Sequence, residues 1–137
     1  MELERQPAEF DDPATMSTIE DQAIRVVQRQ VELFNLRNLD QFMGLFEEDA
    51  LVMDGWTGEV IARGGAEIRP RYEKRFQTPV DCQFIGRLAL GNVVVDREVI
   101  TGLPGGESVQ CLAAYTVNVQ KARISQCLLF WGEPPPG

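Results

Sequence analysis

Residues 38–54, Asn-Leu-Asp-Gln-Phe-Met-Gly-Leu-Phe-Glu-Glu-Asp-Ala-Leu-Val-Met-Asp, decide the fold because they join a short helix to a strand. Asn38 is a residue type that caps helices, and the apolar spacing after it predicts a short helix over residues 39–46. Residues 47–49 form an acidic turn, and the alternation of residues 51–54 is typical of a strand. A helix that leads directly into a strand indicates a mixed domain of helices and sheet.

A longer helix precedes this stretch. Ser17 and Glu20 have the spacing of a capping box, which predicts that a helix begins at residue 18 and continues to about residue 36.

Helical and strand patterns continue after residue 54. Residues 59–62 are typical of a short strand, and residues 66–76 predict a third helix that accepts Pro70 near its first turn. Four segments rich in branched and aromatic residues follow and are separated by turn signals, which predicts an antiparallel meander: 84–90, 93–101, 108–119 and 123–131. We expect an α+β architecture in which the helices cover one face of the sheet and leave a cavity between.

Length and charge favour a single domain. The 137 residues divide into an acidic, mobile leader over 1–16, one α+β domain over 17–132 and a proline-rich tail over 133–137. Most of the net charge of −8 lies in residues 1–21, which carry a net of −6. No signal peptide and no apolar run long enough to span a membrane is present, so we expect a cytoplasmic protein without membrane contact.

Composition excludes several kinds of site. The chain has no histidine, which rules out His-dependent triads and His-ligated zinc. Three scattered cysteines, Cys82, Cys111 and Cys127, predict reduced thiols rather than a disulfide framework. Without a large basic excess no nucleic-acid partner is expected, and the basic residues between Arg63 and Arg75 are expected to form a solvated face.

Two polar residues fall where apolar residues are expected. Gln30 lies on the apolar face that Val27 and Phe34 share, so it should be partly buried, and it should either bond a neighbouring backbone group or line a pocket. Asp54 shares the strand face of Val52, where a desolvated carboxylate can act as a base near neutral pH. The alternative for Asp54 is that it opens a turn at Gly55.

The last strands mix polar and apolar residues. Tyr115 shares a face with Ala113, and Gln126 shares a face with Phe130, which suits either a ligand pocket or an ordinary core. In residues 93–100, Arg97 falls on one face while Asp96 and Glu98 fall on the other. Both faces carry charge, which favours cross-strand salt bridges on a solvent or dimer face. The pattern does not decide which of the two faces lines the pocket.

Taken in order, these stretches resemble the nuclear transport factor 2-like, or SnoaL-like, proteins over about residues 20–131. The resemblance rests on Val-Val-Gln-Arg-Gln-Val-Glu-Leu-Phe-Asn, on residues 38–54, on Ala-Arg-Gly-Gly-Ala-Glu-Ile-Arg-Pro-Arg-Tyr, and on the stretch from Gly91 to Gly106. It implies a cystatin-like α+β barrel, or cone, with three N-terminal helices against a curved, mostly antiparallel sheet that encloses a pocket. The fold hosts isomerases, cyclases and non-catalytic domains, so the function has to come from the site.

Within this fold the sequence resembles ketosteroid isomerase, whose site combines an aspartate base with an oxyanion hole of one tyrosine and one protonated aspartate. The resemblance places the base on Asp54, the tyrosine on Gln30 and the second aspartate on Ala113. Because both acidic donors are replaced, efficient steroid isomerisation is not expected. Epoxide hydrolases of this fold need an arginine between two carboxylates, and Arg97 does not fit since strand neighbours face opposite ways.

We therefore expect an enzyme of the isomerase, cyclase or lyase type that uses Asp54 as general acid and base on an apolar carbonyl compound, without cofactor or metal. The expected pocket residues are Gln30, Phe34, Trp56, Tyr72, Ala113, Tyr115, Gln126 and Phe130. Two alternatives stay open: a module that binds a small apolar ligand without chemistry, and a dimeric scaffold. The resemblance also implies a homodimer formed through the outer sheet face.

Overall fold

The computed structural model describes residues 18–132, which form three helices and one six-stranded sheet. The helices are α1 (Ile19–Leu36), α2 (Leu39–Met43) and α3 (Gly64–Arg75), and the strands are β1 (Phe46–Asp54), β2 (Val60–Arg63), β3 (Asp81–Leu90), β4 (Val93–Thr101), β5 (Val109–Asn118) and β6 (Arg123–Trp131). The leader and the proline-rich tail expected from the sequence lie outside the described residues.

The capping box of α1 forms one residue later than expected. Thr18, not Ser17, is the N-cap: its hydroxyl accepts from the Asp21 amide at 2.9 Å, and the Asp21 carboxylate accepts from the Thr18 amide at 3.4 Å. Asn38 caps α2 as predicted, with its Oδ1 accepting from the Gln41 amide at 3.2 Å. That helix ends at Met43 rather than at residue 46, because Phe46 already belongs to β1.

The sheet has the order β2-β1-β6-β5-β4-β3. The predicted meander is confirmed, since β3, β4, β5 and β6 pair in succession and antiparallel. The β1 strand pairs with β6 in parallel and with β2 antiparallel. The sheet is therefore open, with β2 and β3 as its edges. The expectation of a closed barrel was wrong. The third helix follows β2, so the helices do not all precede the sheet.

The core lies between the helices and the inner face of the sheet. Strands β4 and β5 alternate strictly between buried and more exposed residues, so one face packs on the helices and the other faces outward. An aromatic cluster of Phe34, Phe42, Tyr72 and Phe76 joins the three helices, and its shortest ring separation is 4.7 Å between Phe42 and Tyr72. This cluster fixes α3 against α1.

Within residues 18–132, no helix is long and apolar enough to cross a membrane. The cytoplasmic location stays a prediction.

Candidate active site

Hydrogen bonds from the side-chain amide of Asn35 connect the last turn of α1 to the start of β3. The Asn35 Nδ2 donates to the Cys82 carbonyl at 2.9 Å, and the Asn35 Oδ1 accepts from the Cys82 amide at 2.7 Å. The Arg37 Nη1 adds a bond to the Val80 carbonyl at 3.0 Å. These bonds hold α1 against the inner face of the sheet, and the buried side of α1 then forms one wall of a cavity.

This cavity has a volume of about 30 Å³ and lies between α1, α3 and the inner sheet face. Its lining consists of Gln30, Val31, Phe34, Tyr72, Arg75, Cys82, Glu98, Ile100, Tyr115, Leu129 and Trp131. The volume is enough for about two water molecules, whereas pockets that enclose a whole ligand measure roughly 300–1,000 Å³. A larger ligand would therefore place only one end inside and lie across the rim.

The carboxyl group of Glu98 is the acid in this cavity. Glu98 is 4% exposed, and its Oε2 accepts from the Tyr115 hydroxyl at 3.4 Å. Burial, and then the negative charge of Asp96, raise its pKa from 4.5 to about 7, against opposing bonds from the Cys82 thiol and the Tyr115 hydroxyl. A carboxyl group with this pKa exchanges its proton readily at neutral pH.

Behind Glu98, Asp96 forms a buried ion pair with Arg87 of β3. The Arg87 Nε and Nη2 donate to the two carboxylate oxygens at 2.6 and 2.9 Å, and the Arg87 Nη1 donates to the Gln28 Oε1 at 2.9 Å. The hydrogen bond with Asp96 raises the pKa of Arg87. The salt bridge expected on a solvent or dimer face is thus inside the molecule, and the exposed Arg97 instead donates to Gln110.

The other polar groups around Glu98 stay protonated at neutral pH. Burial raises the pKa of Tyr72 to about 12 and that of Tyr115 well above its ordinary value. Burial and the charge of Glu98 likewise raise the pKa of each cysteine thiol, and all three cysteines are free and buried. The tyrosine hydroxyls can therefore serve as hydrogen-bond donors, while the thiols are poor nucleophiles.

Gln30, Phe34, Tyr72 and Tyr115 are the expected pocket residues that line the cavity. Gln30 is 5% exposed, and its Oε1 is buried without a hydrogen-bond partner among residues 18–132. Of the two expectations for Gln30, the structure shows no bond from a neighbouring group to this oxygen among residues 18–132, and it places Gln30 in the lining of the cavity.

The structure places Asp54 at a turn and not in the lining of the cavity. Asp54 pairs in register with Leu129, but its Oδ1 accepts from the amides of Trp56 and Thr57 at 2.8 and 3.2 Å. This arrangement is the turn that was the alternative expectation for this residue. A carboxylate that already accepts two backbone amides is less available as a base.

The remaining expected pocket residues also lie elsewhere. Gln126 and Phe130 share the outer face with Leu128, opposite to the buried Cys127 and Leu129 of the same strand. Trp56 is mostly exposed and packs edge-on against Phe130 at 5.3 Å, while its Nε1 donates to the Trp131 carbonyl. Ala113 faces inward beside Asp96, but it does not reach the cavity.

Sequence reasoning missed Glu98, Arg87 and Arg75 as site residues. The alternation of β4 correctly placed Asp96 and Glu98 on the same face of the strand, but it did not show whether that face points to the helices or to solvent. On the neighbouring strand β3, the apolar side chains of Leu88 and Leu90 are 78% and 80% exposed, so the hydrophobic pattern of that strand does not mark the inner face. In residues 18–132, no group of three or more His, Cys, Asp or Glu side chains is arranged to hold a metal ion.

Comparison with protein families matched the SnoaL-like domain over residues 27–126. Comparison with curated proteins found no significant match.

Solved structures with the same fold include SalBIII, an epoxide hydrolase/cyclase-like enzyme in pyran ring formation in the polyether salinomycin. It is 19% identical with a TM-score of 0.72, and the match covers 82% of this chain and 92% of that one. A protein from Kribbella flavida provisionally assigned as a ketosteroid isomerase is 23% identical with a TM-score of 0.70, covering 88% of this chain and 87% of that one. A cystatin-like protein of unknown function from Methylobium petroleophilum is 12% identical with a TM-score of 0.73, covering 88% and 82%.

Proposed function

Because this chain belongs to the SnoaL-like domain family, we propose that it is an enzyme of the cyclase or isomerase type in which Glu98 carries the proton. The observation that supports this most directly is a buried carboxyl group with a pKa of about 7 in the wall of the cavity. The structures with the same fold include a cyclase-like enzyme and a provisionally assigned isomerase, which supports a proposal of this reaction type.

The reaction begins with proton abstraction. The Glu98 carboxylate takes a proton from the carbon next to a carbonyl group, and the electron pair of the C–H bond becomes an enolate. The Tyr72 hydroxyl donates to the enolate oxygen, where a donor is worth several kcal/mol of barrier. The Tyr115 hydroxyl, which donates to the Glu98 Oε2, positions the base. Protonated Glu98 then returns the proton to another carbon in an isomerase, or to the new alkoxide after the enolate carbon attacks a second carbonyl in a cyclase.

The walls of the cavity select an apolar substrate. Val31, Phe34, Ile100 and Leu129 surround the polar groups with hydrocarbon, which desolvates the carboxylate and strengthens its bonds to the donors. Because of the small volume, only the reacting carbonyl end enters, and the rest of the substrate lies at the rim. The ligand we propose is therefore a small, largely apolar carbonyl compound, and no cofactor is needed for this step.

Exchange of carbon-bound hydrogen tests this proposal without knowledge of the product. A panel of ketones and β-diketones is incubated with the protein in deuterated water, and deuterium incorporation next to the carbonyl is followed by NMR. We expect Glu98→Gln to lower the exchange rate at least about a hundredfold, since a positioned base contributes roughly that much. Tyr115→Phe should lower it less.

Asp54→Asn is the competing variant. If Asp54→Asn abolishes exchange and Glu98→Gln leaves it intact, the base is Asp54 and this proposal is wrong. If the wild-type protein binds members of the panel and exchanges none of them, the cavity belongs to a binding module without chemistry.

We also propose that the outer sheet face pairs with a second copy of the chain. Leu88 and Leu112 are exposed on this face, and together with Val95 they line a shallow groove of about 320 Å³. Apolar residues grouped in this way on a sheet face are typical of protein interfaces. A homodimer would cover the groove without closing the cavity on the opposite face.

A further inference from the structure

Two arginines of α3, Arg71 and Arg75, are drawn towards the interior instead of into solvent. Their neighbours Arg69 and Lys74 are exposed, as expected for a solvated face, whereas Arg71 and Arg75 are half-buried. Arg75 lines the cavity together with Trp131. The two cations are four residues apart on the helix, where like charges repel each other and destabilise the helix.

Neither guanidinium group has an acidic partner among residues 18–132. The ion pairs of this region involve other residues, and the Arg71 Nε is buried without an acceptor. Arg75 contacts the Trp131 ring at 6.0 Å from its centroid, which is the outer limit of a cation–π interaction. Burial and the charge of Arg71 lower the pKa of Arg75, as expected for cations that lack a counter-charge.

The position of Arg75 near the helix end explains only part of this arrangement. A cation in the last turn is favoured by the helix dipole, but that effect operates equally on the exposed Lys74. It gives no reason for the guanidinium group of Arg75 to line the cavity.

A second, independent observation comes from α1. Gln30 lines the same cavity, and its Oε1 is buried and has no donor in the described part of the chain. Leaving such a buried group unsatisfied is unfavourable. The cavity lining thus combines Gln30 of α1, which has an unmatched acceptor, with Arg75 of α3, which has no acidic partner among residues 18–132. A ligand with a hydroxyl group and an anionic group would complete this pattern.

We propose that the ligand is a carboxylate whose anionic group binds Arg75 at the rim and whose hydroxyl or enol donates to the Gln30 Oε1. A carboxylate matches the guanidinium group with two parallel hydrogen bonds, and Trp131 covers the apolar body next to it. Arg71 adds its charge from one helical turn away. This inference deepens the proposed function, on which it rests for the reacting end of the molecule.

The test compares short ω-hydroxy carboxylic acids with their primary amides, which have the same body without the charge. Binding to ¹⁵N-labelled protein is followed through the indole N–H of Trp131 and the side-chain amide of Gln30. We expect the acids to bind at least about tenfold more tightly than the amides and to shift both signals. Arg75→Gln should abolish this preference, and Arg75→Lys should keep part of it.

Lys74→Gln is the matched control, because it removes one positive charge from the exposed side of the same helix. It should leave the preference for acids unchanged. Equal binding of acid and amide, no binding of either, or a preference that survives Arg75→Gln would overturn the proposal. So would inorganic phosphate that competes as well as the acids, since this would indicate a general anion effect.

Glu98→Gln separates this inference from the proposed function. The variant should lose hydrogen exchange and keep the preference for acids over amides. If exchange persists in Glu98→Gln while the preference depends on Arg75, the proposed base is wrong and the carboxylate site stands.

Discussion

At the scale of single residues, Glu98 makes stability depend on pH. Its pKa rises on folding from 4.5 to about 7, so the folded protein holds this proton more tightly than the unfolded chain. The stabilisation is complete below about pH 4.5 and is lost as the pH rises through 7. When the pH is raised from 5 to 8, we expect the titration of Glu98 to lower the free energy of unfolding by up to about 3 kcal/mol. Urea denaturation at the two pH values measures this loss.

Glu98→Gln provides the reference for this measurement, because glutamine keeps the shape of the side chain and cannot titrate. The variant should be less sensitive to pH over this interval by the same amount. Equal pH dependence in the two proteins would mean that Glu98 does not titrate with a raised pKa.

The sequence predicted the placement of some site residues because their local pattern was enough. Gln30 was predicted to be partly buried, since the helical period fixes its face from neighbouring residues alone, and it is 5% exposed in the structure. Asp54 shows the limit of this reasoning: the strand period fixes the side on which it lies, but the bonds from Trp56 and Thr57 depend on how the chain turns afterwards. Glu98 was missed because the inward direction of this face of β4 is set by partners on other strands, such as Arg87, which pairs with Asp96.

At the scale of elements, Gly102 fixes the end of β4 against the segment before β3. Its φ of 78° is one that glycine adopts easily, and a Cβ atom there would lie 2.0 Å from the Pro79 carbonyl oxygen. We expect Gly102→Ala to destabilise the protein by more than about 2 kcal/mol, because backbone strain and a backbone clash add. Thermal unfolding measures the loss.

Gly106→Ala is a close control, since Gly106 has a φ of 79° and open space where the Cβ atom would be. It should cost only the strain of about 1–2 kcal/mol. Equal losses in the two variants would show that the contact with Pro79 contributes nothing.

The strands and helices were predictable where local signals are strong. Strands β4 and β6 have the predicted bounds, because turn residues stop them at both ends. Thr18 replaced Ser17 as the N-cap, which is a choice between two adjacent residues of the same capping type. The parallel pairing of β1 with β6 could not be predicted from local pattern, since it joins residues about 75 positions apart.

At the scale of the whole molecule, the exposed leucines of the outer sheet face predict self-association. Leu88→Glu should convert a dimer into a monomer, because it places a charge in the centre of the apolar groove. Sedimentation velocity measures the mass directly. Leu36→Glu is the control, as Leu36 is also highly exposed but lies at the end of α1. A monomeric wild-type protein, or a dimer that survives Leu88→Glu, would contradict this prediction.

The overall architecture followed from the order of the elements, which indicated helices on one side of a meandering sheet. The closed barrel did not follow, because closure requires the two edge strands to meet. Here β2 and β3 stay at opposite edges, with α3 and residues 76–80 connecting them along the chain.

The place of β6 in the sheet determines when the fold can form. This strand lies between β1 and β5, so it is the only link between the β1–β2 hairpin and the β3–β5 meander in the described sheet. It is also the last of these strands to leave the ribosome during synthesis. Until then the growing chain holds two separate half-sheets with unpaired edges, a state in which aggregation competes with folding. Completion of the sheet should therefore be a late and slow step, governed by closure of a long loop.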